Sequence, residues 1–212
     1  MIKYCIWDVG QTIYPYSLCP LDRWARKNTW DLKKYEELGG VKAFDYKNYM
    51  RGYESHEKFI NRFCNHLSIN CNPKTKAEIN KELHRGVGKF FPQTLEAMKI
   101  VEQNGGQNGL LSNALPILGD TVDIIPKERS FPSYLTGFLK PEKDAYELVK
   151  YTLKCDFSEL MFVDDKLQNV EAAKELGIHG IVYNKNTIVQ NVSKIIETEN
   201  IRSALNKKEN LR

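Results

Sequence analysis

Two adjacent carboxylates, Asp164 and Asp165, follow the apolar run Leu160-Met161-Phe162-Val163. A short apolar run of this kind reads as a buried strand, so the pair stands at a strand's C-terminal end. Side by side the two anions repel, and one is pushed towards protonation unless a cation sits between them. Hard oxygen ligands suit Mg²⁺, which takes one or two carboxylates and keeps positions for phosphate oxygens. Open α/β sheets place their ligands at strand ends. The dipeptide therefore points to metal-assisted chemistry on an α/β fold, with Asn169 following shortly after it.

A third carboxylate, Asp8, ends the apolar stretch Tyr4-Cys5-Ile6-Trp7, after which Val9-Gly10-Gln11-Thr12 turns the chain. An Asp in such a place is commonly a turn-former; it is also placed to act as a nucleophile or a metal ligand. Leu110-Leu111-Ser112-Asn113 reads as a strand closed by a hydroxyl and an amide, groups that most often cap helices. In Gly137-Phe138-Leu139-Lys140-Pro141 a lysine precedes a helix expected to begin at Pro141, a residue favoured in a first helical turn. Lysines are ordinarily solvated, so each of these marks is weak by itself.

Taken in chain order, Asp8 with Thr12, then Ser112, then Lys140, then Asp164 with Asp165 resemble the four-motif signature of the haloacid dehalogenase-like (HAD) hydrolase superfamily. The resemblance covers roughly the first fifteen residues and residues 91–196. The strings Trp7 to Thr12, Leu111 to Asn113, Leu139 to Pro141 and Phe162 to Asp165 look most like the branch that includes glucose-1-phosphate phosphatases and epoxide hydrolase N-terminal domains. The resemblance implies a Rossmann-like parallel sheet, Mg²⁺ dependence and an aspartyl-phosphate intermediate. It makes Asp8 the nucleophile. It has Asp8, the Gly10 carbonyl and Asp165 hold the metal, with Asp164 in or near that shell and Asn169 supporting it. Thr12, Ser112 and Asn113 would bind the phosphate, Thr12 also orienting the turn after Asp8, and Lys140 would bind the phosphoryl group and balance charge on it and on Asp8. The sequence departs from the family at Gly10, where the usual first motif carries a second Asp that serves as general acid/base.

The function expected on these grounds is Mg²⁺-dependent hydrolysis of a phosphomonoester on a small phosphorylated metabolite. A sugar phosphate is favoured, because an anomeric leaving group needs an acid least. The alternatives are a carbon–halogen hydrolase, against which the paired carboxylates argue, and a weakly active or inactive phosphometabolite-binding protein, for which Gly10 argues.

The elements that must position these groups follow from periodicity. From residue 91 onward helical and strand patterns alternate, which predicts a parallel sheet with helices on both faces. Expected there are a helix over 94–102, a strand at Leu110-Leu111, a helix within 117–125, a short strand at Tyr134-Leu135, and a helix carrying Tyr146, Val149 and Leu153. A helix closed by Gly177, a strand through Ile181 and a last helix from Ile188 to Ile196 complete the pattern. Residues 16–88 lack strand alternation and read as a helical cap inserted into a core of residues 1–15 and 89–212. The aromatics of that segment, Trp24, Trp30, Tyr35, Phe44, Tyr46, Tyr49, Tyr53 and Phe59, pack its interior or wall a substrate site. His56 beside Glu57 reads as a surface histidine or a proton relay.

At 212 residues the chain holds one core with room for one insertion. A net charge of +4, with basic residues scattered rather than striped, argues against a nucleic-acid surface. Five cysteines with no CxxC spacing argue against a disulfide framework and a structural zinc site, and fit reduced thiols in a cytoplasmic protein. No signal-peptide pattern and no membrane-length apolar run is visible. A monomer or homodimer is expected, and residues 201–212, with Lys207, Lys208 and Arg212, read as a solvated, fraying end.

Overall fold

The computed structural model describes residues 1–209. Five strands, β1 (Tyr4–Trp7), β2 (Gln107–Ser112), β3 (Ser130–Pro132), β4 (Leu160–Asp164) and β5 (His179–Val182), form one sheet in the order β3-β2-β1-β4-β5. Every pairing is parallel. Helices α1 (Cys19–Asn28), α2 (Leu32–Glu37), α3 (Lys47–Met50), α4 (His56–His66) and α5 (Pro73–Arg85) lie between β1 and α6 (Pro92–Gln103). Then come α7 (Ser133–Thr136), α8 (Lys143–Leu153), α9 (Leu167–Glu175) and α10 (Ile188–Glu209). The α/β class and the parallel, helix-flanked sheet are those expected from the alternation of patterns.

Central strands buried on both faces need apolar side chains at successive positions, and the period of two deals them to opposite sides. In β1, Cys5 and Trp7 enter the cluster with α6 and α10, while Ile6 enters the cluster with α8 and α9. In β4, Met161 and Val163 join the first, Leu160 and Phe162 the second. A third cluster belongs mostly to residues 16–88, built on Leu21, Tyr35, Phe59, Phe63 and Ile79; Leu115 and Leu118, which follow β2, complete it.

Among the described residues, 16–88 contribute no strand to the sheet. Local signals start its helices. Asp31, Ser55 and Asn72 accept hydrogen bonds from the backbone N–H groups of Lys34, Lys58 and Thr75, and Pro73 opens α5. The two chain stems of this segment run side by side. Tyr16 and Val87 form an antiparallel bridge, Ser17 N–H donates to the Gly86 carbonyl at 3.0 Å, and Gly88 N–H donates to the Pro15 carbonyl at 2.8 Å.

Several local expectations are corrected. The strand expected at Tyr134-Leu135 is instead Ser130–Pro132, and Tyr134 and Leu135 lie in α7. Its Ser-Phe-Pro sequence carries little strand signal, and it survives because Pro132 sits on an edge strand, where one face of the ladder is not needed. Pro141 does not open a helix: Glu142 N–H donates to the Leu139 carbonyl at 2.8 Å, and α8 begins at Lys143. The helix sought within 117–125 is a 3-10 stretch, Pro116–Thr121. The last helix continues past Ile196 to Glu209, so residues 201–209 are helical rather than frayed, while Arg212 lies outside the described residues. No described helix is long and apolar enough to cross a membrane.

Candidate active site

The winding of the sheet reverses between β1 and β4, since β2 and β3 extend to one side and β4 and β5 to the other. A crevice at the carboxyl ends of the strands opens where such a reversal occurs. Asp8 follows β1 there, Ser112 ends β2, and Asp164 ends β4. Backbone bonding fixes the carboxylates: Asp8 N–H donates to the Val163 carbonyl and Tyr183 N–H to the Asp164 carbonyl, both at 2.8 Å. Three distant motifs thus meet because parallel strands end on one side, and Lys140 reaches them from the loop before α8.

Lys140 is the centre of the arrangement. Only 4% exposed, its ammonium donates to Asp8 Oδ1 at 2.5 Å, to Asp164 Oδ2 at 2.7 Å and to the Leu111 carbonyl at 2.7 Å. All three N–H groups of the ammonium therefore have acceptors. Burial works against its charge, but Asp8 and Asp164 outweigh that and hold its pKa above the ordinary lysine value. Asp164 is fully buried and also accepts from Asn169 Nδ2 at 2.9 Å and from Lys166 N–H at 2.8 Å.

Asp8 is placed differently. Burial raises its carboxyl to about 6; Lys140 pulls it down, and the charges on Asp164 and Asp165 push it up. The half-buried Asp165 is raised too, by desolvation first and then by Asp164. Asp8, Asp164 and Asp165 each offer a carboxylate oxygen, all within 4.8 Å of one another. Three carboxylates facing one ammonium leave an excess of negative charge, and the donors are all hard oxygens. That set fits a divalent cation of the Mg²⁺ type.

The remaining predicted residues divide. Ser112, Asn113, Gly10, Asn169 and Lys140 line a cavity of about 240 Å³ together with the three carboxylates. The Asn113 carboxamide is already engaged by the Lys140 backbone, so it is its position rather than its side chain that faces the cavity. Thr12 is fully buried and does not line the cavity, so its hydroxyl is not presented to a ligand there; it also has no hydrogen-bond partner. Its carbonyl accepts from Thr94 at 2.6 Å, which ties the turn to α6. Gly10 has no left-handed backbone, and a Cβ there would meet only the Tyr16 Cβ at 3.7 Å, an ordinary contact. Of the aromatics singled out in 16–88, Tyr46 reaches the cavity; Tyr35, Tyr49 and Phe59 are buried in their own cluster, and Trp30 and Tyr53 are exposed. His56 does not line the cavity; its ring bonds the Tyr49 hydroxyl at 2.6 Å.

Some contributors carried no signal. Arg51 of the helical segment forms a two-bond ion pair with Glu142 and donates to the Gly137 carbonyl at 2.7 Å. Glu142 in turn accepts from Leu139 N–H at 3.1 Å, so the loop bearing Lys140 is held by the helical segment. Arg51 and Glu142 are separated by 91 positions, a distance at which single-sequence spacing says nothing.

No family model matches the chain. It is 25% identical over 197 residues to drimenol cyclase drtB of Aspergillus calidoustus, a match that covers 90% of this chain and 35% of the cyclase. It is 43% identical over 51 residues to sesquiterpene phosphatase astK of Aspergillus oryzae, covering 24% of this chain and 26% of that protein. The chain thus spans about a third or less of the length of these curated relatives. Among solved structures, a HAD family enzyme from Bacteroides thetaiotaomicron in complex with magnesium and inorganic phosphate superposes with a TM-score of 0.69 at 17% identity, over 87% of this chain and 96% of that one. With its parallel strand order and with Asp8, Lys140 and the Asp164-Asp165 pair gathered at the strand ends, the chain has the haloacid dehalogenase-like fold.

Proposed function

We propose that the chain is a Mg²⁺-dependent phosphomonoesterase acting on a small phosphorylated metabolite through an aspartyl-phosphate intermediate. The observation that carries this reading is Lys140, whose ammonium bridges Asp8 and Asp164 at the ends of neighbouring strands while Asp165 stands beside them. A relative named as a phosphatase and a neighbour solved with magnesium and phosphate support it.

Asp8, Asp165 and the Gly10 carbonyl would hold the ion, with Asp164 beside it. The ion supplies neutralising charge to the phosphate when bound. Asp8 attacks phosphorus and forms an acyl phosphate as the P–O bond to the alcohol breaks. Lys140 keeps Asp8 ionised and balances charge on the transferring oxygens, the electrostatic support that phosphoryl transfer chiefly needs. Ser112 and the backbone at Asn113 face the phosphoryl group. Asn113 and Asn169 act on position: one fixes the Lys140 backbone, the other fixes Asp164. Gly10 offers no carboxyl, and the Gln11 amide donates to the Tyr16 carbonyl at 2.7 Å, so the departing alkoxide takes its proton from water. Water then cleaves the acyl phosphate and restores Asp8. Residues 16–88 act as a cap over residues 1–15 and 89–212, closing the cavity opposite the strand ends.

Phosphate release from a panel of phosphomonoesters, with and without Mg²⁺ and with Asp8→Asn as control, tests the reading. Turnover that needs both Mg²⁺ and Asp8 is expected. Turnover that persists in EDTA, or release of chloride from a haloacid, would overturn it in favour of carbon–halogen hydrolysis.

A further inference from the structure

Two unlike sets of residues line the cavity. One is Asp8, Lys140, Asp164 and Asp165. The other is a wall formed by Leu18, Tyr46 and Met50 from the helical segment, by Leu115 and Leu118 after β2, and by Tyr14 from the turn after β1.

Polar groups on this second wall are largely satisfied by the protein itself. The Tyr14 hydroxyl pairs with Thr121 Oγ1 at 2.7 Å, and that oxygen also donates to the Leu118 carbonyl at 2.7 Å. The Tyr46 hydroxyl donates to the Val41 carbonyl at 2.9 Å. What these rings offer a ligand is therefore carbon. Tyr16 departs from the pattern only in that its hydroxyl is buried without a partner.

A wall built for a polyol is the reverse. It keeps donors and acceptors in reserve, and discriminates because they stay unpaired until the right hydroxyls arrive. A sugar pressed against this wall would lose its hydration and regain little, at a cost of about tenfold or more in affinity for each unmatched hydroxyl. A hydrocarbon loses nothing there and gains by leaving water.

We propose that the site takes the phosphate monoester of an apolar alcohol, with its phosphate at Asp8 and Lys140 and its hydrocarbon against Leu18, Met50, Leu115 and Leu118. This rests on the phosphatase reading above and replaces its favoured sugar with a hydrocarbon leaving group. Asp8 takes the phosphoryl group, the apolar alcohol leaves with the ester oxygen and a proton from water, and hydrolysis of the acyl phosphate yields inorganic phosphate.

A series of para-alkylphenyl phosphates, from methyl to hexyl, tests the wall separately from the chemistry. The acidity of the phenol hardly changes along the series, so only apolar contact varies. With Mg²⁺ present, kcat/KM is expected to rise about fourfold per buried methylene until the wall is filled. Leu18→Asn and Met50→Asn are expected to flatten that rise, and glucose 1-phosphate should be turned over more slowly than the hexyl compound. The wild-type series stands alone if either variant fails to fold. Turnover of phenyl phosphate with no gain from the alkyl chain, or faster turnover of glucose 1-phosphate, would overturn the apolar assignment and leave the phosphatase reading intact. No Mg²⁺-dependent turnover of any phosphate would overturn the reading beneath it.

Discussion

Asn113 holds Lys140 by its backbone at both ends: Oδ1 accepts the Lys140 N–H at 2.8 Å, and Nδ2 donates to the Lys140 carbonyl at 2.9 Å. The lysine's main chain is fixed before its side chain reaches Asp8. A buried ammonium between two carboxylates is only as good as its geometry, and this clamp supplies it.

Replacing Lys140 with Met should therefore damage stability as well as activity. It leaves Asp8 and Asp164 facing each other without a cation, and breaking a buried pair in this way costs about 3–5 kcal/mol. Urea denaturation in EDTA should show that loss, and Mg²⁺ should recover part of it. An unchanged midpoint would mean that the lysine is dispensable to the fold.

Asp8→Asn should lower kcat by about a thousandfold or more while the protein stays folded. The amide cannot attack phosphorus, yet it fills the same space. Single-turnover assays and a thermal melt separate the two effects; retained metal-dependent turnover would remove Asp8 from the nucleophile's role.

The two carboxylates of the pair should respond differently. Asp164 accepts from Lys140, Asn169 and Lys166, so Asp164→Asn leaves buried donors badly matched and should cost stability. Half-buried Asp165 has no such bonds to Lys140 or Asn169. Asp165→Asn should weaken Mg²⁺ binding by about tenfold or more with little change in melting temperature, in line with the metal's demand for hard anionic oxygen. Calorimetric titration with Mg²⁺ decides; equal affinity in wild type and variant would count against it.

Asp8 gives a pH signature. Its folded value of about 6 lies above the 3.8 of the free side chain. A carboxyl raised in this way binds its proton more tightly when folded. Its stabilising contribution is therefore full below about pH 4 and is lost as pH rises through about 6. Denaturation in EDTA across that window should show stability falling in wild type relative to Asp8→Asn, where the titrating group is gone. Mg²⁺ should abolish the difference by favouring the ionised carboxyl, and its affinity should weaken below about pH 6 as protons compete. Parallel curves for the two proteins would show that Asp8 does not titrate there.

Gly10→Asp should fold, because its backbone is not left-handed and a new Cβ meets only Tyr16. If the added carboxyl reaches the leaving oxygen, rates for poor leaving groups should rise by roughly 10²–10⁴-fold while those for aryl phosphates change little. A plot of rate against leaving-group pKa before and after the change is the measurement. Identical slopes would show that a proton donor is already present.

The parts of this structure legible in the sequence are those with local causes. β1 and the strand before Asp164 are short apolar runs, and the alternation after residue 91 is a matter of periodicity. The chemistry-bearing residues at strand ends could be named because parallel topology gathers such ends on one side. What stayed hidden was non-local. Ser130–Pro132 is a strand only because β2 offers it a partner. Thr12 lies in the right turn, but its side chain points into the protein rather than the cavity. The grip of Arg51 on Glu142, and the meeting of Leu18, Met50, Leu115 and Leu118 on one wall, come from tertiary contact alone.

The paired stems at Pro15 to Ser17 and Gly86 to Gly88 bear on how such a chain can change over time. The chain enters and leaves residues 16–88 through two adjacent stretches of backbone whose spacing is set by their own hydrogen bonds. Lengthening or shortening the loops between α1 and α5 leaves that spacing alone, and loop-closure entropy grows only slowly with length. Loop lengths within residues 16–88 are thus free to drift, so long as Arg51 keeps its hold on Glu142 and with it the loop bearing Lys140.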